Sequence, residues 1–468
     1  MVLRPFAFQS YQSRSAPFIN QRLVNLYWEN APDQTAKSPG VLFRRPGLKT
    51  FSEVGLGPIR GVHTMRGVPF VVSKNRAFRI EEDGTAVQLG GDEISGLDRI
   101  DSADNGKQVA IAAGSAGYII EDDVVTQITD PNFRAVSSVE YMDAVFIWTV
   151  QDSGQIFVSP QFEGLGPYDP LDFATAEFDP DILLKAFRDH DDLFLFGADT
   201  IEPWFGSGAR DFPFAPNPGA VMETGLLARD SVRKIDNSII WLGSDERGGR
   251  TVWRANGYTP VAISTHALEA KWNEVGNPER AYALTLRTEG HAFYVLTFPD
   301  FGTFVYDTIT GLWCEWENAG FPDLNLIGFS SAFGKRLTAD RRGNRLFEIS
   351  TTFEDDAGDA IVWEAISPPI RTQNNAYAKH TFFRIDVEAG VTDSDDLPAR
   401  VYLSWADEDA IRFGPRKLLS SGRQGEGRRR AFMRRLGYAR SRVYKISGSD
   451  PIPLSIIGMY LDVTPGRW

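Results

Sequence analysis

Short runs of consecutive apolar residues recur along the first three quarters of the chain, each followed by a polar turn and a second β-favouring run. They read Phe70-Val-Val-Ser73, Val109-Ala-Ile-Ala112, Val145-Phe-Ile-Trp148, Leu193-Phe-Leu-Phe196, Ile239-Ile-Trp-Leu242, Phe293-Tyr-Val-Leu296 and Arg336-Leu-Thr-Ala339. Their starts lie 39, 36, 48, 46, 54 and 43 residues apart. That scale matches the roughly 40–50 residues of a four-stranded propeller blade. The first unit predicts strands over Ile59–Thr64, Pro69–Ser73, Ala77–Glu81 and Ala86–Leu89, with Asp83-Gly84 as a hairpin turn. In a propeller each small sheet buries both faces against its neighbours, and ring closure leaves only short edges. Seven cores predict seven blades, and the weaker seventh leaves six open. A row of β-sandwich modules would repeat on the same scale, but no long linker separates the units, which favours the propeller.

Other stretches break the repeat. A helix is expected over Thr265–Val275, with Thr265 as its cap and Leu268, Trp272 and Val275 on one face. Before Ile59, residues 1–58 read as an N-terminal arm with possible strands at Gly40–Phe43 and Leu48–Glu53, the segment that would close the last blade. Residues 59–352 form the propeller. Near Thr352-Phe-Glu-Asp-Asp-Ala-Gly-Asp359 the chain turns acidic, a domain boundary. Beyond it, in 353–468, longer strands alternate strictly. Phe383, Ile385 and Val387 are apolar between charged Arg384, Asp386 and Glu388; Val401–Trp405 and Arg442–Ser447 alternate likewise, and Ile456–Val463 closes the chain. One buried and one wet face per strand predicts a C-terminal β-sandwich.

Composition agrees with an all-β chain and narrows its chemistry. Among 468 residues are 57 aromatics, 43 Gly and 27 Pro, suited to strands and frequent turns. Cys314, the single cysteine, excludes an intramolecular disulfide framework and a Cys-rich zinc site. Its place in Trp313-Cys314-Glu315 reads as a buried, inert thiol. The five histidines stand too far apart for a metal motif. The N-terminus shows no secretory signal, and no apolar run reaches the roughly 18–20 residues of a membrane span, so folding in a cytoplasm is expected.

The net charge of −13 opposes general adhesion to nucleic acid or anionic membrane. It is unevenly spread: from Arg412 to Lys445 twelve basic residues face one acidic residue, Glu426, leaving the remainder with a net −24.

Catalytic motifs are weak. Ser102-Ala-Asp-Asn-Gly106 and Ser244–Trp253 resemble the Asp-box turn of sialidases without its full pattern, and such boxes are structural hairpins even there. A glycosidase needs two carboxylates at set separations, and 62 acidic residues always offer some pair. Arg188-Asp-His-Asp-Asp192 holds a histidine among carboxylates but reads as a hairpin turn. Asp393-Ser-Asp-Asp396 lacks the glycine and glutamate of a calcium loop. No phosphate-binding glycine motif is present. Trp204 and Phe205 have the chemistry to stack on sugars or bases, though blade packing is the commoner use. No catalytic residue, cofactor or metal is expected.

Four stretches, in order, resemble the tail hub or nozzle proteins of short-tailed bacteriophages, also called packaged-DNA stabilisation proteins or tail accessory factors. They are Gly40-Val-Leu-Phe-Arg-Arg-Pro-Gly-Leu-Lys49, Phe196-Gly-Ala-Asp-Thr-Ile-Glu-Pro-Trp-Phe205, Phe304-Val-Tyr-Asp307 leading to Trp313, and Arg434–Lys445. The resemblance implies a non-enzymatic virion subunit, assembled in the host cytoplasm into a homo-oligomeric ring of six. The ring would sit below the portal and its adaptor, retain packaged DNA and conduct it during ejection. Tail fibres or spikes, a plug or needle, and non-specific contact with double-stranded DNA would be its other partners. Six copies would carry about −78, a lining that repels phosphates rather than gripping them. A propeller glycan-active enzyme or receptor-binding tail protein is the alternative, and an ordinary DNA-binding module a third reading that the acidic balance disfavours.

Within this frame Arg428, Arg429, Arg430, Arg434, Arg435, Arg440 and Arg442 are the candidate assembly interface. They would pair with carboxylates on a neighbouring subunit or the adaptor. Facing DNA, they would neutralise phosphates; the bland reading is a solvated loop. Arg440 and Arg442, separated by Ser441, are expected on one strand face.

Overall fold

The computed structural model describes residues 2–4, 6–14, 20–33, 35–36, 38–176, 178, 181–209, 212–244, 248–372, 376–389, 400–408, 412–420 and 430–465. Among these residues the secondary structure is almost wholly β, with one short α-helix and one 3-10 turn, and forms a seven-bladed propeller followed by a sandwich.

Each apolar run of the repeat lies in the second strand of a blade: Val68–Ser73, Val109–Ala113, Val145–Val150, Asp192–Gly197, Ser238–Ser244, His291–Phe298 and Lys335–Asp340. These strands are flanked within their own sheets by the first and third strands and covered on both faces by adjacent blades. That environment is why the sequence shows continuous apolar runs rather than alternation. In Asp192–Gly197, Leu193 and Leu195 pack toward blade three, while Phe194 and Phe196 pack toward blade five against Trp241. Fully burying each such side chain contributes about 1.5–3 kcal/mol.

Six similar seams complete the circle. Phe70 and Val72 meet Ile111 and Tyr118 between blades one and two, and Ile119 meets Phe146 and Trp148 between two and three. Ile147 meets Leu195 between three and four, Leu242 meets Tyr294 between five and six, and Phe293 meets Leu326 and Phe347 between six and seven. Leu337 and Ala339 of blade seven then return to Val71 and Ile80 of blade one. The helix occupies His266–Trp272; Thr265 caps it through its hydroxyl, which accepts from the Leu268 amide. Leu268, Trp272 and Val275 fill the seam between blades five and six.

The chain before Ile59 serves two structures. Gly47–Glu53 lies antiparallel to Arg345–Ser350 as the fourth strand of blade seven, pairing Glu53 with Arg345 and Gly47 with Ser350. Asp355–Asp356 then continues that sheet beside Leu48. The remaining N-terminal strands enter the sandwich. Val2–Arg4, Leu26–Asn30 and Gly40–Arg44 join Ala378–Ala389, Arg430–Arg434, Tyr438–Ala439 and Leu454–Pro465 in one sheet.

The opposite sheet is continuous with blade six. Asn20–Val24 lies beside that blade's last strand, Leu312–Trp316, with Val24 opposite Glu315 in parallel register. On its other side Asn20–Val24 pairs antiparallel with Trp363–Ile366, which leads to Ser441–Gly448, Arg400–Asp407 and Lys417–Ser420. Propeller and sandwich therefore share a hydrogen-bonded sheet. They also share an apolar core, in which Phe293 and Trp316 of the blade pack with Phe383, Tyr444 and Ile446 of the sandwich.

Charged groups close the junction. The Arg22 guanidinium bonds to Glu315 at 3.0 and 2.8 Å, and Lys271 reaches the same carboxylate at 3.2 Å. Deeper in, Arg45 holds Asp356 and donates to the Asn25 side chain and the Glu317 carbonyl. Buried charges persist only when paired and hydrogen-bonded in this way.

Candidate assembly interface

Of the seven arginines singled out from the sequence, the four whose side chains the structure describes, Arg434, Arg435, Arg440 and Arg442, do not form one surface. Arg428 and Arg429 lie outside the described residues, and Arg430 begins the strand Arg430–Arg434. Arg434, Arg435 and Arg440 are exposed. Between them the chain reverses through Arg435 and Gly437, both at positive φ, before pairing Tyr438 and Ala439 with Lys379 and Ala378.

Arg442 differs. Its side chain is 1% exposed, grips Asp407 with two hydrogen bonds of 2.5 and 2.8 Å, and donates to the Leu436 carbonyl at 2.7 Å. The expectation that Arg440 and Arg442 share a face is corrected by the topology. Tyr438–Ala439 belongs to one sandwich sheet and Ser441–Gly448 to the other, so the chain changes sheets at Arg440 and alternation does not carry across. Arg442 is a structural residue of the sandwich interior, fully engaged within its own chain.

Of the exposed arginines, Arg434 and Arg440 belong to an outward face of mixed cations and rings, and Arg435 lies in the turn beside it. Phe383, Ile385 and Val387 point inward, so the period of two turns Phe382 and Arg384 outward. Phe382 stacks on Phe432 with centroids 5.7 Å apart, and Arg434 lies 5.4 Å over the Phe432 ring. Arg384 lies 4.0 Å over Tyr460, Lys379 5.9 Å over Tyr438, and Arg440 4.6 Å over Tyr377. Phe432 and Tyr438 are more than half exposed. Large rings left in water beside arginines have the composition of an interface core. The counts of basic residues pointed to this region; the rings escaped notice because they come from strands 50 residues apart.

The propeller axis carries a second charged constellation with no sequence signal, since its members come from separate blades. Arg99, entering blade two, bonds Asp230 ahead of blade five at 2.7 Å and the Arg280 carbonyl ahead of blade six at 2.8 Å. Arg229 grips the other oxygen of Asp230 at 2.8 Å and the Ser137 carbonyl of blade three at 2.7 Å. Lys185 of blade four holds both oxygens of Asp101 of blade two at 2.7 Å. Burial alone would raise the Asp230 carboxyl; the Arg229 and Arg99 guanidiniums outweigh it and hold the group far below the usual carboxylate range. Beside these chords lies a cavity of about 550 Å³ lined by Arg60, Arg99, Arg229 and Asp230.

The catalytic motifs weighed from sequence resolve into local structure. In Ser102–Gly106, Asp104 accepts from the Gly106 amide and Asn105 caps Lys107 and Gln108, a hairpin turn. His63 bridges Ser102 at 3.0 Å and Asp104 at 2.9 Å, tying blade one to blade two. His190 sits at positive φ in the hairpin before Leu193 and meets Asn237 at 2.7 Å. Residues 245–247 and Asp393–Asp396 lie outside the described residues. Trp204 is buried, and its indole donates to Glu202; Phe205 is exposed. Burial pushes the Cys314 thiol well above its ordinary value. Among the described residues no group of three His, Cys, Asp or Glu side chains is disposed to hold a metal, and no helix is long and apolar enough to cross a membrane.

Comparison with known proteins gives two matches along the chain. Residues 5–315 match a family described as "Bacteriophage P22 Gp10, beta-propeller", and residues 362–464 match "Bacteriophage P22 Gp10, beta-sandwich". No curated protein sequence matches. Among solved structures, the chain is similar to the computationally designed Ika8 protein at 11% identity, covering 74% of this chain and all of that one with a TM-score of 0.39. It is similar also to the AfRom2 CNH domain, at 8% identity over 65% and 98% of the two chains with a TM-score of 0.42. The Neurospora crassa Pan2 WD40 domain matches at 9% identity over 63% and 90%, with a TM-score of 0.39.

Proposed function

Because the chain belongs to the bacteriophage P22 Gp10 family of short-tailed phage tail hub proteins, a structural component of the virion tail, we propose that it acts mechanically, without catalysis, as one subunit of a ring below the portal and adaptor. Copies of the chain retain the packaged genome, pass it at ejection, and hold fibres or spikes outside and a plug or needle below. Assembly takes place in the host cytoplasm, with six subunits as the number the resemblance implies.

The observation that carries this reading is the ordered match of both halves of the chain to the two domains of one family. The axial chords bear on where DNA runs. A duplex whose major groove alone is about 12 Å wide has no path through an axis crossed by a 2.7 Å Arg99–Asp230 contact. That supports a conduit enclosed by several copies, with each propeller a block in its wall. The net −13 of each copy keeps that wall from gripping phosphate. On the sandwich, Arg434, Arg435 and Arg440 serve protein docking, with Arg428, Arg429 and Arg430 as further members of the same segment.

Electron microscopy of particles carrying an antibody label against this chain tests the reading. Label in ring-like symmetry at the tail below one capsid vertex is the expected result. Label at the tips of peripheral fibres would favour a receptor or glycan role instead, and particles without label would exclude both.

A further inference from the structure

Two surfaces on opposite sides of the molecule complement one another. The first is the cationic, ring-bearing face of the sandwich just described, which is joined to blade six. The second is the outer rim of blade three. There the chain leaves the third strand, Gln155–Val158, and takes a long excursion before the short edge strand Phe173–Thr175 and the entry to blade four. Residues 159–172 contain three acidic residues, Glu163, Asp169 and Asp172, and no Lys or Arg. The excursion is held in place by Tyr168, whose hydroxyl donates to the Gly164 carbonyl at 2.6 Å, and by Asn132, which donates to the Tyr168 carbonyl.

At the end of the blade where this excursion lies, Phe162, Leu165 and Leu171 stand in water, with Leu171 76% exposed. Among them Asp169 and Asp172 stand close enough that burial and the neighbouring Asp169 charge raise the Asp172 carboxyl. A clustered like charge of this kind is relieved by a cationic partner. Blade three stands three blades from blade six round a seven-blade ring, close to diametrically opposite. The sandwich and the blade-three rim therefore lie on opposite sides of the ring, and one molecule cannot bring its own two surfaces together.

We propose that the blade-three rim of one copy docks on the sandwich face of the next, with Asp169 and Asp172 meeting Arg434 and Arg435 around an apolar centre of Leu171 and Phe432. Two different patches that recognise each other make a heterologous, head-to-tail contact, which closes into a ring when the rotation per step permits. The inference rests on the tail-ring reading and adds the pair of surfaces that builds the ring.

The test uses particles carrying the full chain with Leu171→Cys and Tyr438→Cys together, treated with a short bismaleimide. Cys314, the single native cysteine, is buried, so only the new thiols react. The expected result is a ladder of cross-linked multiples of this chain, absent from particles carrying either substitution alone. Particles that contain the chain but give no ladder overturn the pairing and leave the tail role standing. Particles that form without the chain overturn the tail role itself. Charge reversal gives an independent readout. Asp169→Lys with Asp172→Lys should cut particle yield at least tenfold, as should Arg434→Glu with Arg435→Glu, and all four together should restore it. A loss from the arginine changes that the rim changes do not restore would mean the sandwich face meets another partner, such as duplex DNA, and the pairing would be wrong.

Discussion

Arg45 and Asp356 form a two-pronged buried ion pair, with hydrogen bonds of 2.9 and 2.6 Å between side chains that are both nearly inaccessible. Arg45 stands between a sandwich strand and the strand that completes blade seven; Asp356 lies beside the latter. Removing one partner of such a pair leaves the other charge buried and uncompensated, at a cost of about 3–5 kcal/mol. Asp356→Ala should lower the unfolding free energy by that amount in urea titration. A change below about 1 kcal/mol would mean that water takes the carboxylate's place.

Arg442 and its exposed neighbours should separate cleanly. Arg442→Ala takes the donor from the buried Leu436 carbonyl, breaks the Asp407 pair and opens a void against Trp405 and Tyr444, so a loss of about 2–3 kcal/mol is expected. Arg434→Ala and Arg435→Ala, on the surface, should stay within about 0.5 kcal/mol. Comparable losses at all three positions in thermal unfolding would contradict this division.

Acid should act through His380. Its ring is buried 2.8 Å from the Tyr444 hydroxyl; burial first, then the Arg442 charge, push its pKa down to about 4 against a smaller opposing effect of Asp407. The folded state holds the neutral ring, so the unfolded chain takes up the extra proton. The contribution is complete above about pH 6.5, falls as pH drops toward 4, and levels below that, a loss of up to ~3 kcal/mol. His380→Gln should flatten this part of the stability–pH curve; an unchanged slope would assign it elsewhere.

Asp230 acts at lower pH. Its carboxyl is held far below its ordinary value in the folded chain, so it stabilises above about pH 4 and that contribution is lost progressively as pH falls further. Asp230→Asn should reduce stability at pH 7 and narrow the gap from the parent as the medium is acidified. A gap that stays constant with pH would show that the chords across the axis do not depend on its charge.

Cys314 should resist a thiol reagent in the folded protein and react fully in denaturant, because burial disfavours the thiolate that reacts. Prompt labelling of the native chain, followed by absorbance, would contradict its burial.

The propeller was legible because the second strand of every blade is covered on both faces and therefore written as an unbroken apolar run, as in Val145-Phe-Ile-Trp148. The helix at His266–Trp272 was legible from its cap and spacing. What escaped was long-range pairing. Asn20–Val24 meets Leu312–Trp316 through a single parallel partner pair, Val24 and Glu315, and a polar strand alone does not say which distant edge it will join. The arginine segment was legible as basic but not as surface. Arg440 and Arg442 look alike in sequence, yet the crossing between sheets at Arg440 sends one to solvent and the other inside. Likewise Arg99, Arg229 and Asp230 meet only because ring closure brings separate blades to one axis.

The fourth strand of blade seven, Gly47–Glu53, imposes an order in time. A ribosome delivers it some three hundred residues before its partner, Arg345–Ser350. Until then the nascent propeller has an open seam, with the apolar faces of blades one and seven unpaired and a free strand waiting. Non-local pairing of this kind makes folding slow and leaves edges open to aggregation. A chain released before that partner is made holds Gly47–Glu53 with no place to put it, so a truncated subunit keeps an open seam where a finished one has shut its circle.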